Sequence, residues 1–197
     1  MHTDIDKSVV ISFFNSICDE YDLHNLQNIN TLRTILNYAD VSNKDVLDLA
    51  CGPGVLFDMY HAVNIKSLTA VDISEKMIEK CKSKFPNYSI KYHCMDAEEM
   101  NFDKSFDSVV LFNAFPHIAH PEILVKKVHA ALRKNGTFTI AHGSSRDTID
   151  LCHSKLPASL SRKLWDLPKL TDLLSSHFDI EIAIDNNQMI VVTGRKK

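Results

Sequence analysis

Short apolar runs alternate with longer segments of mixed polarity along most of this chain. The runs at 45–50, 67–73, 88–95, 106–113 and 137–142 are rich in Val, Ile and Phe and are bounded by polar or turn-forming residues, which predicts strands. VVLF at 109–112 is apolar on both faces, as a central parallel strand should be. Between the runs the apolar spacing lengthens to a helical one. Ser74 is an N-cap for a helix over 75–84. Pro121 suits a first helical turn, after which Ile123, Leu124, Val128, Ala131 and Leu132 share one face and Gly136 follows as a stop. Near the end, FDIEIAID (178–185) and QMIVVTG (188–194) are separated by a tight turn at Asn186-Asn187, which predicts an antiparallel hairpin. Strand followed by helix, repeated, means a doubly wound, mostly parallel sheet covered on both sides, with one reversed strand near its end.

Composition narrows the function classes. At 197 residues one domain is expected, and 45% hydrophobic with 24% charged residues is near the globular average, so disorder is not expected. The net charge of −3 offers no global attraction to a phosphate backbone, which speaks against a nucleic-acid partner. Apolar runs are too short to span a membrane, and MHTDIDKSVVISFFN lacks the basic start of a signal peptide. Five cysteines (18, 51, 81, 94, 152) without a C-x-x-C pair point to a reducing compartment, the cytoplasm by default, and away from structural zinc.

The chemistry concentrates around VLDLACGPGVL, residues 46–56, which holds two of the chain's five glycines. A small-residue loop after the first strand of such a sheet opens a helix whose amide groups favour an anionic partner, at the sheet edge where ligands lie. Dinucleotides and S-adenosylmethionine (SAM) both use such loops. The dinucleotide fingerprint needs a third small residue, and Phe57 stands there, so NAD or FAD is disfavoured. Asp48, Asp72 and Asp96 are each 24 residues apart, one strand–helix step, so each strand delivers one carboxylate to the same edge. Asp72 can accept both hydroxyls of a ribose, and Asp96 can accept a hydrogen bond from an adenine amine. Asn113 ends the fourth strand.

These residues resemble the class I SAM-dependent methyltransferases, and the N-terminal FFNSICDEYD is similar to the entry segment of their quinone- and small-molecule-methylating branch. VLDLACGPG matches the first motif with Ala50 in place of a glycine, AVDIS the second, MDAEEM the third and FDSVVLFNAFPHI the fourth. The likeness runs from about residue 41 to 143. It implies a Rossmann-like, seven-stranded sheet and SAM as cofactor. It further implies a cofactor-binding set of Asp48, Ala50, Cys51, Gly52, Gly54, Asp72, Ile73, Met95, Asp96, Ala97 and Asn113. Within that set the main chain at 50–54 holds the methionine end, Asp48 orders the loop and the SAM ammonium, Ile73 and Met95 sandwich the adenine. The expected organisation is an N-terminal helical cap (1–40), the SAM core (41–143), an insert or lid (144–167), and a final helix and hairpin (168–197).

The expected activity is methyl transfer from SAM to a small-molecule acceptor, by a monomer or homodimer. The alternatives are a SAM-binding regulatory or partner-activated protein and a nucleotide-cofactor oxidoreductase. The cap and the insert should face the methyl. Val10, Phe13, Phe14 and Ile17 have helical spacing and suit packing on the sheet, and Tyr21 is placed to close over SAM. Ten histidines are many for this length. His142 and His117, at adjacent strand ends, are the catalytic candidates, as general base or hydrogen-bond donor. Tyr21, His117, Arg146 and His153 are the acceptor-binding candidates, with Arg146 suited to an anionic acceptor. No metal is expected, since H-x-x-x-H spacing is absent.

Overall fold

A computed structural model describes residues 5–24 and 27–197; of the cap expected over 1–40, residues 1–4, 25 and 26 lie outside the described residues. The chain opens with helices α1 (Lys7–Ile17), α2 (Tyr21–His24) and α3 (Ile29–Tyr38). Strand β1 (Asp45–Leu49) leads through the glycine loop to α4 (Phe57–Ala62), β2 (Ser67–Asp72) to α5 (Glu75–Lys84), and β3 (Ile90–Cys94) on to β4 (Phe106–Phe112). Then come α6 (Pro121–Ala131), β5 (Leu132–His142), α7 (Arg146–His153), α8 (Leu167–Ser175), β6 (Phe178–Asp185) and β7 (Ile190–Lys196).

The strands form one seven-stranded sheet in the order β3-β2-β1-β4-β5-β7-β6. β1 to β5 pair in parallel, and β7 runs antiparallel to both β5 and β6. The chain winds outward from β1 to β3, then returns to the other side of β1 as β4. This reversal opens a crevice at the carboxyl ends of β1 and β4, where a doubly wound sheet binds its ligand.

Alternating side chains of the central strands feed two core layers. Leu47, Leu49, Val109 and Leu111 face α6 and α8, packing with Leu124, Val128, Leu170 and Leu174. Val46, Val110 and Phe112 point the other way, toward Ile35, Leu36, Phe57 and Tyr60. Burying each such aliphatic side chain contributes about 1.5–3 kcal/mol, which makes these layers the main anchor of the strand ends that carry the acids. A smaller cluster of Ile5, Val10 and Leu160, joined by Phe13, Phe14 and Ile73, fastens α1 over the carboxyl edge of the sheet.

Local details differ from the pattern-based expectation. On α6 the buried side chains are Pro121, Leu124, Val125, Val128 and Ala131, while Ile123 is 43% exposed. Residue 123 lies about 100° of helical rotation from 124, off the buried stripe. Gly136 does not stop this helix, because Leu132 already has extended backbone and begins β5. Leu132 pairs with Phe106 and Thr137 with Ser108, so residues 133–136 bulge from the ladder. The turn between the last strands spans 186–189, where Asn186 Oδ1 accepts the amides of Gln188 (2.8 Å) and Met189 (2.9 Å). Ser74 caps α5 as its position predicts, accepting the Met77 amide at 3.2 Å.

Candidate active site

The glycine loop departs from the sheet under tight control. Cys51 N still donates to Val71 O of β2 (3.0 Å), while Ala50 (φ +52°), Gly52 (φ +54°) and Gly54 (φ +84°) all take left-handed backbone. The two glycines have opposite duties. A Cβ on Gly52 would meet nothing within 4 Å, so its backbone borders open space. A Cβ on Gly54 would lie 2.6 Å from Phe85 Cε2 and 2.9 Å from Cys81 Sγ, so this glycine lets the loop seat on α5. Gly54 is not among the residues that border the cavities described below, and its Cβ side is filled by core side chains. Phe57 starts α4 and is buried against Phe85 and Tyr60, filling the position where a dinucleotide fold keeps a small residue.

Asp72 ties the loop to the next unit. Its two carboxylate oxygens accept Gly52 N and Ser74 N, each at 2.8 Å. Burial pushes its pKa up to about 6 against the pull of these amides. Asp48 is also buried and lies well above the ordinary carboxylate range, first through burial and then through the like charge of Asp72. Asp96 accepts Glu98 N at 2.8 Å through Oδ1 and is ion-paired through Oδ2 to Lys7 of α1, which also reaches Glu98 at 2.9 Å.

Three connected cavities run along the carboxyl edge. The lobe over the ends of β1 to β3 spans about 750 Å³ including open solvent and is lined by Ala50, Gly52, Asp72, Ile73, Met95, Asp96 and Ala97. A smaller lobe of about 350 Å³ is bordered by Asp48, Ala50, Cys51 and Gly52. A third, of about 900 Å³ including open solvent, lies toward α7 and is bordered by His117, His142 and His153. Tyr21 and Asn113 line all three, so the lobes meet at these two side chains. Asn113 has φ +53° and accepts Gly143 N at 3.0 Å, which joins the ends of β4 and β5. Tyr21 is held protonated by burial, with its pKa pushed up to about 12.

The residues fit SAM by shape and donor set. The first two lobes have the size of a small-molecule site. The open space at Gly52 is a backbone cradle, buried acids stand at the ends of β1 and β2, and the half-buried Asp96 follows β3. Lys7, Phe14 and Glu98 also line the main lobe and were not among the expected site residues. The signal for the first two lies in α1: Lys7, Val10 and Phe14 share one face by their i, i+3, i+7 spacing.

On the third lobe the histidines meet, as their strand-end positions predict. His117 Nδ1 donates to Leu160 O at 2.9 Å, which leaves Nε2 as the lone-pair nitrogen. Burial lowers its pKa to about 4. His142 is 2% exposed, its Nε2 has no hydrogen-bond partner, and burial with the nearby His153 and His117 lowers it to about 3. Neither histidine therefore titrates near the free imidazole value. His153 stands over His117 with ring centroids 5.1 Å apart and meets Ser161 Oγ at 3.0 Å. Arg146 is turned away from this lobe: its guanidinium pairs with Asp185 (2.8 Å) and donates to Leu164 O (2.9 Å) and Trp165 O (2.7 Å). It braces α7 against β6, so the side chain expected to meet an anionic acceptor is already engaged. Among the described residues no group of three His, Cys, Asp or Glu side chains is placed to hold a metal ion.

A doubly wound sheet with a reversed last strand, three strand-end acids and a glycine cradle defines a class I SAM-binding fold. Residues 47–140 match the methyltransferase domain family, and the chain is similar to class I SAM-dependent methyltransferases. It is 26% identical over 144 residues to the malonyl-[acyl-carrier protein] O-methyltransferase of Acetivibrio thermocellus, covering 70% of this chain and 50% of that protein. It is 32% identical over 172 residues to the ribosomal protein L11 methyltransferase of Staphylococcus haemolyticus, covering 84% and 47%. The chain thus spans about half the length of these two relatives. Among solved structures it resembles a chain from the complex of the Haloferax volcanii Trm112 methyltransferase activator with a methyltransferase (TM-score 0.82, 15% identity, 95% of this chain and 97% of that one). It also resembles the Burkholderia thailandensis 1,6-didemethyltoxoflavin-N1-methyltransferase bound to S-adenosylhomocysteine (TM-score 0.73, 21% identity, 96% and 88%). At these identities the structures share the fold. Among the described residues no helix is long and apolar enough to cross a membrane.

Proposed function

We propose that this protein transfers a methyl group from SAM to a small-molecule acceptor. The observation that carries the reading is the junction of the three lobes at Tyr21 and Asn113. An acid-lined crevice for adenosine, an acid-bordered cradle for the methionine end and a histidine-lined cavity meet where the reacting atoms would stand. Asp72 takes the ribose, Asp96 the adenine amine, Ile73 and Met95 the adenine faces, and Asp48 orders the loop near the ammonium. SAM, when bound, supplies a methyl group already activated by its sulfonium.

The protein's part is to align the acceptor, exclude water and take a proton. Alignment of this kind can supply roughly 7–11 kcal/mol of the barrier. The α1 cluster around Val10 and Leu160 roofs the crevice and keeps water out. His117 lines both the crevice and the third lobe, and its Nε2 carries the ring's lone pair. A hydroxyl or N–H that has begun to accept a methyl group is strongly acidic, so a weak imidazole base can receive its proton. His142 orients the acceptor from the far wall of the same lobe.

The five cysteines form no disulfide, which accords with a cytoplasmic location, and we place the activity there in a monomer or homodimer acting without nucleic acid. The test is turnover. Purified protein with SAM and a panel of small acceptors should release S-adenosylhomocysteine and a methylated product in equal amounts. Tight S-adenosylhomocysteine binding with no acceptor methylated by any preparation would replace this reading with a regulatory SAM-binding one.

A further inference from the structure

We infer that the third lobe admits an uncharged, planar aromatic or heteroaromatic acceptor bearing a hydroxyl or ring N–H; this rests on the methyltransferase reading above. The first observation is the absence of charge. Among the described residues that line this lobe, none is a carboxylate, ammonium or guanidinium side chain. Two neighbouring cations are occupied elsewhere. Arg146, which opens α7, is held by Asp185, and Lys7 in the adjoining crevice is held by Asp96 and Glu98. A charged acceptor would surrender its hydration here and find no opposite charge to replace it.

The second observation is the kind of surface presented. Phe13 and Phe14 of α1 pack edge to face, with centroids 5.3 Å apart, and the Phe14 ring meets His117 edge-on at 5.0 Å. With His153 beyond His117, the wall is a run of ring faces and edges, the lining that a planar guest fits best. The third observation is unmet hydrogen bonding. His142 is buried with Nε2 unpartnered, an uncommon state for a buried polar atom, and His117 Nε2 is left as an acceptor by the bond its other nitrogen makes. A guest hydroxyl or ring N–H can donate to the His117 lone pair, and a guest hydroxyl can pair with His142 Nε2 whichever His142 tautomer is present. Burial keeps both rings neutral, with pKa values of about 4 and about 3, so each keeps one lone-pair nitrogen throughout the working pH range and neither attracts an anion.

The experiment is calorimetric titration of the full chain with catechol and 4-hydroxyquinoline as neutral probes and benzoate and malonate as anions, with and without S-adenosylhomocysteine. The neutral probes should bind roughly ten-fold tighter than benzoate, which matches them in size but must be desolvated as an ion. Cys152→Trp, at an exposed position of the lobe, should weaken catechol binding about ten-fold while leaving S-adenosylhomocysteine affinity unchanged. Thr148→Lys, also at an exposed lining position, should tighten benzoate binding and narrow the gap. Benzoate or malonate binding as tightly as catechol, no binding by either neutral probe, or catechol affinity indifferent to Cys152→Trp would overturn the inference. Failure of S-adenosylhomocysteine to bind at all would instead sink the methyltransferase reading, while the probe preference without it still reports on the lobe.

Discussion

Asp72→Asn separates the ligand role of this carboxylate from its cost to the fold. Asp72 is 7% exposed, and burial raises its pKa from 3.8 to about 6. At about 1.4 kcal/mol per unit, keeping it ionised at pH 7.5 costs the folded state about 3 kcal/mol relative to a neutral side chain. The sign follows from linkage. A folded pKa above the unfolded one means that the contribution to stability is fully present below 3.8 and is lost as pH rises through about 6. Asparagine removes that cost but leaves one acceptor oxygen for two amides, Gly52 N and Ser74 N. The orphaned amide costs about 1–3 kcal/mol, so net stability at pH 7.5 should rise by about 0–2 kcal/mol. SAM affinity should move the other way. Losing charge-assisted hydrogen bonds to the ribose costs about 1.5–3 kcal/mol, roughly a 10- to 150-fold weaker Kd. Calorimetric titration with S-adenosylhomocysteine from pH 5 to pH 8, beside thermal melts, reads both effects. The parent's affinity should fall by up to about ten-fold per pH unit below its carboxyl pKa, and the variant's should stay flat. Equal affinities, or parallel pH profiles for parent and variant, would remove Asp72 from the cofactor site.

The remaining predictions follow from the same geometry. Gly52→Ala should abolish or strongly weaken SAM binding while lowering stability by only about 1–2 kcal/mol, the cost of left-handed backbone for an L-residue; Gly52→Val, with its larger side chain, should block the cradle more completely. Gly54→Ala should do the reverse, losing a further 1–3 kcal/mol or so to overpacking against Phe85 and Cys81 while retaining SAM affinity per folded molecule, as melts and calorimetry will show. Arg146→Ala should lower the melting temperature, through loss of hydrogen bonds worth about 1–3 kcal/mol, and leave kcat/KM per folded molecule unchanged; reduced kcat/KM at full stability would return Arg146 to the acceptor site. For methyl transfer, log kcat/KM should show no imidazole limb near pH 6.5 and any histidine limb should fall near 4, and His117→Phe should lower the rate about 100-fold; a limb at 6.5 that disappears in His142→Ala would contradict the burial of these rings.

Much of this architecture is written locally. Strand and helix periods, the Ser74 cap, the reversed last strand and the step of 24 residues between Asp48, Asp72 and Asp96 are properties of neighbouring residues, so pattern alone places the acids at one sheet edge. The cofactor loop is legible for the same reason, since two of the chain's five glycines fall in the short loop after a strand. What pattern cannot reach is decided by packing between distant segments. Only the tertiary structure shows that Gly52 borders empty space while Gly54, two residues on, sits against Phe85 and Cys81. Arg146 looks free in the sequence because its partner Asp185 lies 39 residues away on β6. Lys7 reaches Asp96 only because the apolar cluster around Val10 and Leu160 lays α1 across the strand ends. The histidines differ most: their positions are readable, but their protonation depends on how much water surrounds each ring, and burial is a property of the whole fold.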